Sequence, residues 1–112
     1  MASSSEERLA RSYQLRLDVI AELREKIRQA RDAGILEDEY ANTVIAQLQS
    51  RRADIFNEMN SATGPVLDPP TEAQIEALAA AVGRLHNWNV SAASTAGIVG
   101  EFFNLVGIAV NH

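Results

Sequence analysis

The side chains that most often carry chemistry are few in this sequence. There are two histidines, His86 and His112, and no cysteine. Neither histidine has a carboxylate or a second histidine at the spacing of a metal site or a catalytic triad. Without cysteine, a disulfide framework, a thiolate zinc site and a cysteine nucleophile are excluded.

Two small groups of carboxylates could in principle bind a cation. Glu37, Asp38 and Glu39 are adjacent, but neighbouring side chains on a helix point in different directions, so a metal site is the minor alternative. Glu72 and Glu76 stand one turn apart without a partner histidine. Both groups are typical of first-turn acids, which the helix dipole stabilises.

Phosphate and nucleic acid are equally poor matches. Gly97 and Gly100 lie inside an apolar helical pattern, not in a loop between a strand and a helix. Arg51 and Arg52 have acids nearby and no wider basic stripe, and the net charge is −5. We therefore predict no nucleic-acid partner, no metal or cofactor, no catalytic residue and no enzymatic activity.

The most distinctive stretch is the nearly uncharged one at residues 91–110. Between Glu76 and His112 the only formal charges are Arg84 and Glu101. As a helix, this stretch would have one side of bulky side chains and an opposite, nearly flat side of mainly small residues such as Gly97. The bulky side carries Ile98, Val99, Phe102, Leu105, Val106, Ala109 and Val110, and the flat one Ala93, Gly97, Gly100, Asn104 and Gly107.

An apolar helix of this kind must be covered by its own bundle, by a second protein or by a membrane. The stretch is barely long enough to span a bilayer, and a central Glu101 would cost about 2.5–3.5 kcal/mol there. Membrane insertion is therefore the less favoured alternative, and a carrier of an apolar ligand is a weaker one.

The elements that precede this stretch predict an antiparallel helical hairpin. Ser4 with Glu7, or alternatively Ser3 with Glu6, has capping-box spacing, and Gly34 is a typical helix stop. Apolar residues then recur at helical spacing over about residues 5–33 and again over about residues 37–60. On the first helix Arg16 interrupts that pattern.

Residues 34–40 are similar to the turn of short bacterial helical-hairpin oligomerisation modules of the SHOCT type. The hydroxyl cap and one acid of that pattern are missing here, and any tight αα-hairpin favours similar residues. No fold, activity or partner is inferred from this resemblance.

A loop at residues 61–70 leads to Thr71 and Gln74, a second capping-box pair. A three-four alternation of mainly apolar positions then continues to Val110, which predicts one coiled-coil-like helix of about 60 Å over residues 71–110. Its apolar end, from Ile98, would extend beyond the hairpin. The alternative is a break near residues 87–91, which gives a four-helix bundle.

Asn89 distinguishes these two folds. In the long helix, which is the fold that we expect, it is the polar residue on an apolar seam, and we predict that its replacement by leucine raises the melting temperature. In a loop it is solvated, and leucine would change little.

The fold that we expect is all-α, a single domain over residues 1–112 with a helical hairpin packed on a long third helix. We expect a scaffold or adaptor that associates with itself or with another protein through its C-terminal helix. A cytoplasmic location is the simplest expectation, although export without a signal peptide stays open. The candidate interface residues are Trp88, Asn89, Ile98, Val99, Phe102, Phe103, Leu105, Val106 and Val110.

Overall fold

The computed structural model describes residues 4–61 and 69–107, and the regular elements in these ranges are all α-helices. The all-α prediction is therefore confirmed, and the four-helix alternative fits where the three-helix one does not. The helices are α1 (Ser5–Asp32), α2 (Asp38–Ser61), α3 (Glu72–Asn87) and α4 (Ala92–Gly107).

Local hydrogen bonds explain where the helices begin and end. The Ser4 hydroxyl accepts from the Glu7 amide at 3.1 Å, which caps α1. Gly34 follows α1 with φ of 78°, a left-handed conformation that glycine adopts without steric cost. Thr71 and Gln74 form a reciprocal capping box at the start of α3. The stop at Gly34 and the capping box at Thr71 are confirmed, and of the capping box predicted at Ser4 the bond from the Glu7 amide to the Ser4 hydroxyl is present.

The first two helices are antiparallel. Near the start of α1, the Tyr13 hydroxyl donates to Glu58 at 3.2 Å, and near its end Arg31 donates to Asn42 at 2.7 Å. Residue numbers therefore rise along α1 as they fall along α2. The predicted hairpin is present.

The third helix runs in the same direction as α1. Arg8 donates to the Pro70 carbonyl at 2.8 Å, and Lys26 donates to the Trp88 carbonyl at 3.0 Å. Both contacts join residues 62 positions apart, so residue numbers rise in the same direction along the two helices. α3 thus begins beside the first turns of α1.

The predicted single helix over residues 71–110 is wrong, because the chain breaks between α3 and α4. Trp88 leaves the helical region with ψ of 127°, and Ser91 caps α4 by accepting from the Ser94 amide at 3.2 Å. The bond from Lys26 satisfies the Trp88 carbonyl. At residues 87–91, which are weak helix formers, tertiary contacts therefore replace helical hydrogen bonds. The longest dimension of the molecule is 47 Å, shorter than the expected helix of about 60 Å.

The helices enclose one cluster of buried apolar side chains around α1, which packs against α2, α3 and α4. α4 also packs against α2. The expected bare end from Ile98 is wrong, because α4 folds back and buries Val99, Phe102 and Val106. Residues 108–112, with the predicted Val110, lie outside the described residues.

The predicted seam position of Asn89 is also wrong. It is exposed in the segment that joins α3 and α4 and occupies no helical seam. The heptad spacing continued through this position because Leu85 and Val99 both face the core, although they belong to different helices.

We expect Asn89→Leu to change the free energy of unfolding by no more than about 0.5 kcal/mol, because the side chain is exposed and outside a helix. The control Leu85→Ala removes a fully buried side chain and should lose about 2–5 kcal/mol. Urea unfolding measures both. A clear gain of stability in Asn89→Leu would contradict the break between α3 and α4.

Candidate functional site

The bulky side of α4 faces the interior of the molecule. Val99, Phe102 and Val106 are buried in the core. The other candidate interface residues of the described part are half-buried against it, except for the exposed Asn89; they are Trp88, Ile98, Phe103 and Leu105. The three buried residues are not accessible to a partner in this arrangement. The candidate surface for a partner is therefore the opposite, exposed side of α4.

We define the flat face of α4 as Ala93, Ala96, Gly97, Gly100 and Asn104, all of which are exposed. A Cβ atom added at either glycine would meet no atom within 4 Å outside the local backbone. The small residues of this face therefore do not make room for another part of the described chain.

An ion pair borders the flat face. Arg84 of α3 and Glu101 of α4 are 2.8 Å apart, with about half of each side chain exposed. The Arg84 guanidinium also lies 5.4 Å from the centre of the Phe102 ring. A pair this exposed contributes about 0–1 kcal/mol. It gives Glu101, the one charge of the apolar stretch, a partner.

A second cluster lies between α1 and α2 and has a buried arginine at its centre. Arg16 is 1% exposed. Its Nε donates to the Ser12 carbonyl at 3.3 Å, and its guanidinium lies 4.7 Å from the centre of the Tyr13 ring. Glu58 of α2 is the acid beside it, with 3.8 Å between Nη1 and Oε2.

This cluster is only partly satisfied. Arg16 Nη1 and Glu58 Oε2 are both buried atoms, and neither has a hydrogen-bond partner among the described residues. Their separation of 3.8 Å is an ion-pair distance and too long for a hydrogen bond. Such atoms leave part of the cost of desolvation uncompensated.

Burial shifts the ionisation of this cluster. Desolvation raises the pKa of Tyr13, and the charge and hydrogen bond of Glu58 raise it further, against a lowering contribution from Arg16. Desolvation also lowers the pKa of Arg16, and Glu58 and Tyr13 oppose that change. The position of Arg16 in the apolar pattern of α1 indicates that it is buried, whereas nothing in the sequence identifies Glu58 as its partner.

A cleft of about 520 Å³ lies between the first turns of α1 and α3. Its lining is mainly charged, which does not suit the apolar ligand of the carrier alternative. The lining residues are Glu7, Arg8, Arg11, Glu72, Ile75, Glu76 and Ala79.

The remaining candidates for chemistry stay apart. Within residues 4–61 and 69–107, no three histidine or acidic side chains come together as a metal site would require. His86 is exposed, 3.9 Å from Glu22. No helix in these ranges combines the length and the apolar character needed to cross a membrane.

The chain was compared with known proteins, and no family model, curated protein or solved structure matches it.

The raised pKa of Tyr13 can be measured by phenolate absorbance in a Tyr40→Phe variant, in which Tyr13 is the remaining tyrosine. We expect a midpoint above the ordinary value of about 10. Because the folded pKa is the higher one, the stability due to Tyr13 is complete below pH 10 and is lost as the pH rises through the folded pKa.

Adding Glu58→Gln should lower this midpoint, because the carboxylate charge is removed, yet leave it above 10, because burial is the larger cause. A midpoint at or below 10 in the Tyr40→Phe protein would refute the buried position of Tyr13.

Proposed function

We propose that the chain is a non-enzymatic helical scaffold that pairs with a second copy of itself through the flat face of α4. The uncovered helix end expected from the sequence no longer supports self-association, because α4 is folded back. The open surroundings of Gly97 and Gly100 carry the proposal instead.

Glycine inside a helix has a cost that the fold itself does not explain. Each one destabilises a helix by about 0.5–1 kcal/mol relative to alanine. A methyl group at Gly97 or Gly100 would meet no atom of the described residues within 4 Å outside the local backbone. A partner backbone that approaches the face closely supplies a reason for glycine at these positions.

The charges at the edge of the face favour a second copy as that partner. A two-fold axis brings the same patch of two molecules together. Arg84 and Glu101 have opposite signs, and both are about half exposed. Around such an axis, Glu101 of one copy approaches Arg84 of the other, so the face is complementary to itself in charge as well as in shape.

The size of the face sets the expected strength. α4 has 16 residues, which corresponds to a length of about 24 Å. A contact confined to one such helix buries less than the roughly 1,200–2,000 Å² of a standard stable interface. The proposal is therefore a weak pair that forms at high protein concentration.

The experiment compares Gly100→Leu with the matched control Gly83→Leu. Gly83 is also exposed and helical, and a Cβ atom added there would likewise meet no atom within 4 Å outside the local backbone, but it lies on α3. Both substitutions should stabilise the monomer, because leucine is the better helix former. Only Gly100→Leu should prevent pairing, since its side chain would separate the two flat faces.

Sedimentation over a series of concentrations into the millimolar range measures the mass. We expect the wild-type protein and Gly83→Leu to rise from 12.2 kDa toward the mass of a dimer, and Gly100→Leu to stay monomeric. A monomeric wild-type protein at every concentration contradicts the proposal. Equal loss of pairing in both variants contradicts its assignment to α4.

A further inference from the structure

The C-terminal part of α2 is held to α1 by few buried side chains. Three of the four buried residues of α2 lie in its first half, and Ile55 is the one that lies beyond it. After Ile55 the large apolar side chains are a half-buried Phe56 and a Met59 that is 39% exposed. Among the described residues, the end of α2 thus contributes few buried apolar side chains.

Glu58 supplies the described polar contacts between this end and α1. Its Oε1 accepts from the Tyr13 hydroxyl at 3.2 Å, and its Oε2 lies 3.8 Å from Arg16 Nη1. The charged or titratable groups that act on Arg16 are Glu58 and Tyr13. The described polar attachment of the last turns of α2 to α1 therefore runs through this single carboxylate, in addition to the apolar contact of the buried Ile55.

The two charges of this pair differ in their access to water. The side chain of Arg16 is 2% exposed, whereas that of Glu58 is 35% exposed. Separation would hydrate an arginine that is otherwise dry and incompletely hydrogen-bonded, which offsets part of the lost attraction. The Glu58 side chain is already partly exposed, and opening also hydrates its Oε2, which is buried and has no hydrogen-bond partner among the described residues.

We propose that Tyr13, Arg16 and Glu58 form a latch, and that residues 55–61 open from α1 as a unit while the rest of the fold stays closed. Opening at this latch exposes the Arg16 guanidinium, the Tyr13 hydroxyl and the apolar side chain of Ile55. Local opening of this kind draws on the least anchored part of a structure.

Single cysteines can report this opening, because the sequence contains none of its own. Ile55 and Leu48 are both fully buried on α2, at 0% and 1% exposure, so Ile55→Cys and Leu48→Cys are matched probes. In native buffer, a thiol reagent should modify the cysteine at position 55 faster than the one at position 48. Glu58→Gln should speed the first reaction by about tenfold or more and leave the second unchanged.

A second variant separates the latch from a general loss of stability. Adding Arg16→Met to Glu58→Gln removes the buried charge together with its partner, so labelling at position 55 should return toward the wild-type rate. The control Glu25→Gln, at an exposed ion pair with Arg28, should change neither rate.

Three results would overturn the latch. They are equal rates at the two positions in the otherwise unchanged protein, an effect of Glu58→Gln that is absent or the same at both, and a double variant as fast as Glu58→Gln alone. The comparison of the two probes without further substitution stands even if a latch variant fails to fold.

Discussion

Burial of α1 is the constraint on which the rest of this structure depends. α1 packs against all three other helices, so apolar side chains must extend around much of its circumference. Val19, Ile20, Leu23 and Ile27 meet this need with almost no exposed surface. The direction of α2 follows from a short turn at Gly34, and that of α3 from a return to the start of α1. Arg16 is the one charged side chain in this buried set, and it makes the α1–α2 contact locally weaker than the contacts around it.

The same constraint determines where the apolar stretch that forms α4 packs. α1 still offers surface that α2 and α3 do not cover, and α4 turns back at residues 88–91 to bury its bulky side there. Folding back places the large side chains inside and leaves glycine and alanine outside. α4 therefore has a flat face that is exposed, and the proposed self-association occurs through this face.

The sequence predicted those features that depend on neighbouring residues. The caps at Ser4 and Thr71, the stop at Gly34 and the difference between the two sides of α4 all follow from local spacing. Local spacing does not decide between one long helix and a break after α3, because helix propensity at residues 87–91 is only middling and the bond to the Trp88 carbonyl comes from Lys26, 62 residues away. The pairing of Arg16 with Glu58 is equally absent from local spacing, since the two residues lie on different helices.

The return of α4 can be tested directly by the distance between spin labels at Ala80 and Asn104, two exposed residues of α3 and α4. A continuous helix would separate these positions by about 36 Å. In the folded-back arrangement Arg84 and Glu101 touch, which brings the labelled positions to less than about 25 Å at 1.5 Å per helical residue. Pulsed electron paramagnetic resonance should give the shorter distance, and a narrow distribution near the longer one would contradict the fold and the flat face that it creates.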